Sequence, residues 1–262
     1  MSPQHPPLLL NRLLLWKHQS VAVQRMREYI HAFQKAKTER AALVHMPTGT
    51  GKTRVIASLT RYTPEVKCAL VLAPRVALRR QLLKKLGERF FKRGVDQSTP
   101  LPKRVLELKK ENLAGSASQL RSTVLIGTIQ KLDRISATDD EALQTLLENV
   151  SLVIFDEGHY EPALSWSETI RRFKVPRILF TATPFRNDYK PFDIDDTYAY
   201  SYPFAEAVAD RFVRNVVFEQ RPPTDNPNTF VRDILELYDK RLKPKGGERR
   251  VIIRCDSQAS IE

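Results

Sequence analysis

The chain has 262 residues, 42% hydrophobic and 28% charged, the balance of a soluble globular protein with a sizeable buried core. Lys and Arg outnumber Asp and Glu by 43 to 30, a formal charge of +13 that favours an anionic partner, above all nucleic acid. The two cysteines, Cys68 and Cys255, sit in apolar runs without metal or redox spacing, as expected for reduced thiols in a cytoplasmic protein; the leucine cluster near the start is too short to span a bilayer, so no membrane partner is expected.

Residues 1–40 open with a polar, proline-bearing lead. A helical stretch follows, in which Trp16, Val23, Met26, Tyr29, Ile30 and Phe33 recur near helical spacing. The pattern then changes to short apolar runs at 41–46, 68–73, 123–128, 151–155 and 177–183, rich in Val, Ile and Leu with little alternation. Such runs predict strands covered on both faces. Amphipathic segments after several of them, notably TRVIASLTRY and RVALRRQLLKKLGERFF, predict an α/β fold with a mostly parallel sheet and helices on both sides. Ligands on such sheets bind beyond the carboxyl ends of the strands.

Residues 92–122 read as a basic insertion carrying one more strand around Val105–Leu108. Residues 219–228 form a proline-rich connector, 229–242 an amphipathic helix, and RRVIIRCDS opens a further buried strand. A strand begun so near the last residue cannot make its own sheet, so it reads as the start of a second domain. The expected organisation is an N-terminal helical segment (1–40), a nucleotide-binding domain (41–220), and a linker with the incomplete second domain (221–262).

MPTGTGKT, residues 46–53, lies between a predicted strand and a predicted helix. Backbone N–H groups converging on a phosphate chain need a glycine-permissive loop at a helix N-terminus. Pro47, Thr48, Gly49, Thr50 and Gly51 supply the loop, Lys52 can reach the outer phosphates, and the Thr53 hydroxyl can ligate magnesium. The general pattern begins with glycine, where this chain has Met46. SLVIFDEGH, residues 151–159, ends a buried strand in two acids, whose charge requires a cation or hydrogen bonds. Asp156 suits the water shell of a magnesium ion, and Glu157 suits the general base that deprotonates an attacking water. Lys52, Asp156 and Glu157 are therefore the candidate catalytic residues, with ATP and Mg2+ as the expected cofactors.

MPTGTGKT, DEGH and the strand end TAT (181–183) together resemble motifs I, II and III of the superfamily-two helicases. The pairing of DEGH with TATPFR resembles the branch containing the motor subunits of type I and type III restriction enzymes. Gly158 departs from the DEAD and DEAH forms of the acidic motif. The resemblance implies a RecA-like P-loop fold for the first domain and a second RecA-like domain after it. It also implies roles for single residues. Gln19 in WKHQ would read the adenine edge, and His159 would sit beside the γ-phosphate. Arg75 and Gln81 in APRVALRRQ and Thr128 in GTIQKL would contact nucleic acid, and Thr181 and Thr183 would couple the nucleotide site to that track. AEAVADRFVRNVVFEQ (205–220) resembles the segment by which such motors leave their first domain.

The expected function is an ATP-dependent helicase or translocase on nucleic acid, with DNA favoured and RNA left open. A restriction or antiviral-defence setting would bring nuclease or methylase subunits as partners. An ATP-gated binding scaffold is the non-enzymatic alternative. The family's arginine fingers belong to motif VI, which these 262 residues do not include, so ATP binding with weak hydrolysis is expected of them.

Overall fold

The computed structural model describes residues 14–89, 103–113, 120–157, 169–183, 193–215 and 226–242. Its compact units run Met1–Arg214 and Asn215–Glu262. The first unit is built on strands β1 (Ala42–His45), β2 (Cys68–Ala73), β3 (Arg104–Glu107), β4 (Thr123–Thr128), β5 (Leu152–Asp156), β6 (Arg177–Thr181) and β7 (Tyr200–Ser201). They form one sheet in the order β3-β4-β2-β5-β6-β1-β7, and every pairing is parallel.

Helices alternate with the strands: α1 (Lys17–Gln34), α2 (Lys52–Tyr62), α3 (Val76–Lys84), the short α4 (Lys110–Leu113), α5 (Ile129–Thr138), α6 (Asp140–Asn149) and α7 (Phe204–Ala209). The period-2 alternation of strand side chains divides the core between two faces. Val44, Val71, Ile126, Ile154 and Phe180 face α1 and α2, packing with Met26, Ile30, Val55 and Leu59. Leu43, Leu70, Leu125, Val153 and Leu179 face the other way, among Leu132, Ile135, Leu143 and Leu146 of α5 and α6. Near-continuous apolar runs follow from this double coverage, because each successive residue enters one core or the other.

Side chains also fix local ends. Thr128 accepts from Lys131 N at 3.2 Å and caps α5, and Asp139 Oδ1 accepts from Ala142 N at 3.0 Å and caps α6. In the second unit, α8 (Pro227–Leu237) is capped by Asn226, whose Oδ1 accepts from the N–H groups of Asn228 and Thr229. The predicted strand at RRVIIRCDS, and Cys255 within it, lie outside the described residues. No helix among the described residues is long and apolar enough to cross a membrane.

Tyr29 fastens α1 to the sheet. Its buried hydroxyl donates to Arg40 O at 2.9 Å and accepts from Arg177 N, the first residue of β6, at 3.0 Å. Tyr29→Phe removes both bonds and strands a buried N–H and a carbonyl. The expected loss of unfolding free energy is about 1–3 kcal/mol. Urea denaturation reads it as a lower midpoint at unchanged slope.

Candidate nucleotide site

Three neighbouring strand ends build the site. β6 lies between β5 and β1, so the loop after β1 and the acids ending β5 flank the TAT segment that ends β6. Met46 N donates to Thr181 O at 2.9 Å, which continues the β1–β6 ladder into the first residue of the loop. Thr181 is buried, and its hydroxyl both donates to Thr183 O at 2.7 Å and accepts from Thr183 N at 3.1 Å. The two threonines proposed for coupling thus make one tight turn bonded directly to the loop.

The loop itself turns on two glycines in the left-handed region, Gly49 at φ 93° and Gly51 at φ 88°. L-residues with a Cβ adopt that region only at a cost. At Gly51 the space is also missing, since a Cβ would collide with Gln19 Nε2. Thr50 closes the turn with its hydroxyl on Pro47 O at 2.7 Å. Gly51 then caps α2, which begins at Lys52, so the first-turn N–H groups and the positive end of the helix dipole face the loop's concavity. Thr53 follows in the same turn and is partly buried.

Lys52 is buried. Its ammonium donates to Met46 O at 3.1 Å and lies 3.8 Å from Glu157 Oε1. Burial pulls its pKa down, while Glu157 and Asp156 pull it back up. Glu157 stands at φ 58°, in the left-handed region that few residues other than glycine and asparagine tolerate. Backbone strain of that kind persists where the surroundings over-determine it, and it recurs at functional sites. Asp156, at the last position of β5, is pushed up to about 6, first by burial and then by the Glu157 charge, against the attraction of Lys52 and Lys85. The sequence-predicted Lys52, Asp156 and Glu157 therefore converge, and Thr53 follows Lys52 in the first turn of α2.

This donor set suits a magnesium–triphosphate. Magnesium keeps most of its waters and takes one or two protein oxygens besides the phosphates, which one carboxylate and one hydroxyl match. Among the described residues no cluster of three or more His, Cys, Asp or Glu could hold a metal unaided. A cleft of about 520 Å³ opens alongside, lined by His45, Pro47, Thr48, Ala182, Phe204 and Val213.

The remaining candidates fall into two groups. Arg75 and Gln81 are exposed at and after the end of β2, and Thr128 ends β4. Arg75 and Thr128 lie at the carboxyl ends of β2 and β4, on the β5 side of the candidate site, and Gln81 lies in the second turn of α3. The Thr128 hydroxyl oxygen serves as the α5 cap, so its described bond is to the protein's own backbone. Gln19 is fully buried. Its Oε1 accepts from Trp16 N at 3.1 Å and its Nε2 donates to Thr50 O at 2.9 Å, so the amide proposed for adenine braces the loop in this structure. His159 lies outside the described residues. Sequence reasoning missed His18, whose Nε2 also meets Thr50 O at 2.9 Å; adjacency to Gln19 at the start of a helix was the available signal.

The raised pKa of Asp156 has a defined sign. Between about 4 and 6 the folded protein holds a proton that the unfolded chain has released, so stability falls as pH rises through that window. Asp156→Asn, assayed in chelator, should melt higher than the parent at pH 8 by up to about 3 kcal/mol of stability. The difference should vanish near pH 4, and thermal melts across pH read both.

Residues 12–186 match the family model described as Type III restriction enzyme, res subunit. No sequence among the curated proteins matches the chain. Of the solved structures, it is similar to a nuclease-deletion mutant of the Type ISP restriction-modification enzyme LlaGI in complex with a DNA substrate mimic. Identity there is 18% over 87% of this chain and 23% of that one, with a TM-score of 0.50. It is also similar to the Pyrococcus furiosus Hef helicase domain, with 24% identity over 84% of this chain and 47% of that one and a TM-score of 0.47. The chain thus spans about a quarter of the first relative's length and about half of the second's. With the family model matching about two thirds of its 262 residues, the chain belongs to the family of the type III restriction enzyme res subunit.

Proposed function

We propose that this chain binds ATP with magnesium in the 46–53 loop and hydrolyses it to drive movement along nucleic acid. The observation that carries the reading is the Lys52 ammonium held between the Met46 carbonyl and Glu157, at the N-terminus of a helix and across β6 from Asp156. In this reading Pro47 through Gly51 cradle the phosphates and Lys52 leaves its present partners for the outer phosphate oxygens. Thr53 and Asp156 hold the magnesium ion, Asp156 through water, and the ion supplies charge neutralisation on the phosphates when bound. Glu157, freed from Lys52, orients and deprotonates the attacking water.

DNA is the favoured track. The excess of 13 positive charges favours a polyanion, and the restriction-modification enzyme whose fold this chain shares carries a DNA substrate mimic in its solved complex. Arg75 at the end of β2, next to the acids, and Gln81 in the helix that follows are the proposed contacts, together with Thr128 if its capping hydroxyl also donates outward. The turn made by Thr181 and Thr183 is the proposed link between them and the nucleotide. Restriction or antiviral defence, with nuclease or methylase subunits as partners, is the proposed setting.

Lys52→Ala should abolish binding of a fluorescent ATP analogue, and Glu157→Gln should keep binding while lowering hydrolysis by about 10²–10⁴-fold, the usual worth of a positioned base. Unchanged turnover in both variants would remove the assigned roles. Stimulation of the parent's ATPase by duplex DNA over single-stranded RNA supports the DNA track; the reverse order makes it an RNA motor, and indifference to both leaves an ATP-gated scaffold.

A further inference from the structure

Thr50, in the middle of the 46–53 loop, has a carbonyl that accepts two donors from α1. Gly51 follows it at φ 88° without a Cβ, so the backbone flanking the 50–51 peptide has more than one conformation open to it. The freedom that lets the loop form also lets that peptide turn over. In a planar trans peptide the C=O and N–H point in opposite directions, so fixing the Thr50 carbonyl fixes the direction of the Gly51 N–H. His18 Nε2 and Gln19 Nε2 each lie 2.9 Å from Thr50 O, filling both lone pairs from the same side. The Gly51 N–H is thereby aimed away from the His18 and Gln19 donors.

A carbonyl only accepts, so the Nε2 of His18 must carry the hydrogen, and one tautomer is selected. The ring is held from its other sides. It stacks on Tyr202 with centroids 4.3 Å apart and planes 2° from parallel, and meets the edge of Phe212 at 4.7 Å. Tyr200 Oη donates to His18 O at 2.8 Å, and Tyr202 Oη donates to Asp210 Oδ2 at 2.7 Å. The ring is buried and clamped by the segment that follows β7.

We propose that His18 is a positioning residue for the triphosphate cradle: its Nε2–H holds the Thr50 carbonyl so that the Gly51 N–H stays turned toward the phosphates. The inference rests on the reading that the 46–53 loop binds a triphosphate. It also gives the post-β7 segment a direct hold on the loop, through the stacked ring.

Two substitutions separate the donor from the ring. His18→Phe keeps the stack on Tyr202 and Phe212 and loses the donor; His18→Gln keeps a donor at similar reach and loses the stack. ATP, GTP and inorganic triphosphate are the probes, titrated by calorimetry with magnesium, with Lys52→Ala as the control. His18→Phe should weaken all three by about tenfold, the worth of one hydrogen bond to a preorganised loop, and His18→Gln should stay within about threefold of the parent. Parent-like binding by His18→Phe overturns the proposal, as does equal weakening by both variants or a loss confined to ATP and GTP. If the parent binds no triphosphate at all, the loop reading itself fails. A measurement that needs no variant is 15N resonance of the histidine ring at pH 8, where an Nδ1–H tautomer at His18 also overturns it.

Discussion

A buried ammonium at the start of α2, in the loop beyond β1, and the carboxylates at the end of β5 face each other across an intervening strand. Neighbouring strands lie about 4.8 Å apart, so β1 and β5 on either side of β6 are separated by about 10 Å at their backbones. The 46–53 loop and the length of the lysine side chain close that distance, and Lys52 meets Glu157 at 3.8 Å. Each of these charges alone would be costly to hold away from water. Together they tolerate burial, and they leave a site of low dielectric in which charges interact strongly. The depressed Lys52 and the raised Asp156 both record that burial outweighs the attraction between them.

Strain and bracing surround this pair. Glu157 stands in the left-handed region at φ 58°, and Gly49 and Gly51 stand there without a Cβ. None of these conformations is held by its own residue. Met46 is bonded into the β6 ladder, Thr50 is tied to Pro47 and to α1, and Asp156 is the last residue paired in β5. The parallel ladder supplies the rigidity, and the irregular backbone is confined to the residues just beyond it. Parallel strands put all their carboxyl ends on one rim, so the candidate nucleotide residues share it with Arg75 and Thr128.

Helix α1 is bound to this centre from outside the sheet. Tyr29 joins it to β6, and His18 and Gln19 join it to the loop. The aromatic stack of His18 on Tyr202 carries the same connection onward to the residues after β7. A change in either neighbour therefore reaches the phosphate loop through a small number of directional contacts. Thr181 and Thr183 make the corresponding connection along the sheet.

Much of this was legible in the residues. The apolar runs 41–46, 68–73, 123–128, 151–155 and 177–183 mark β1, β2, β4, β5 and β6, because strands buried on both faces need uninterrupted apolar residues. GTGKT between a strand and a helix, and Asp-Glu at a strand end, are local patterns, so Lys52, Thr53, Asp156 and Glu157 could be proposed together from sequence, and the fold brings Lys52 to Glu157. The partner of a hydrogen bond could not. The resemblance of WKHQ to a known motif assigns Gln19 to the adenine edge, and only packing shows its amide turned onto Thr50, 31 residues away. His18 has no motif of its own, and its bond to the loop and its stack on Tyr202, far along the chain, exist because the sheet brings α1, the loop and the post-β7 segment together. Local periodicity determines which elements form; the direction of a buried polar group depends on the elements that arrive around it, and that is decided only in the folded chain.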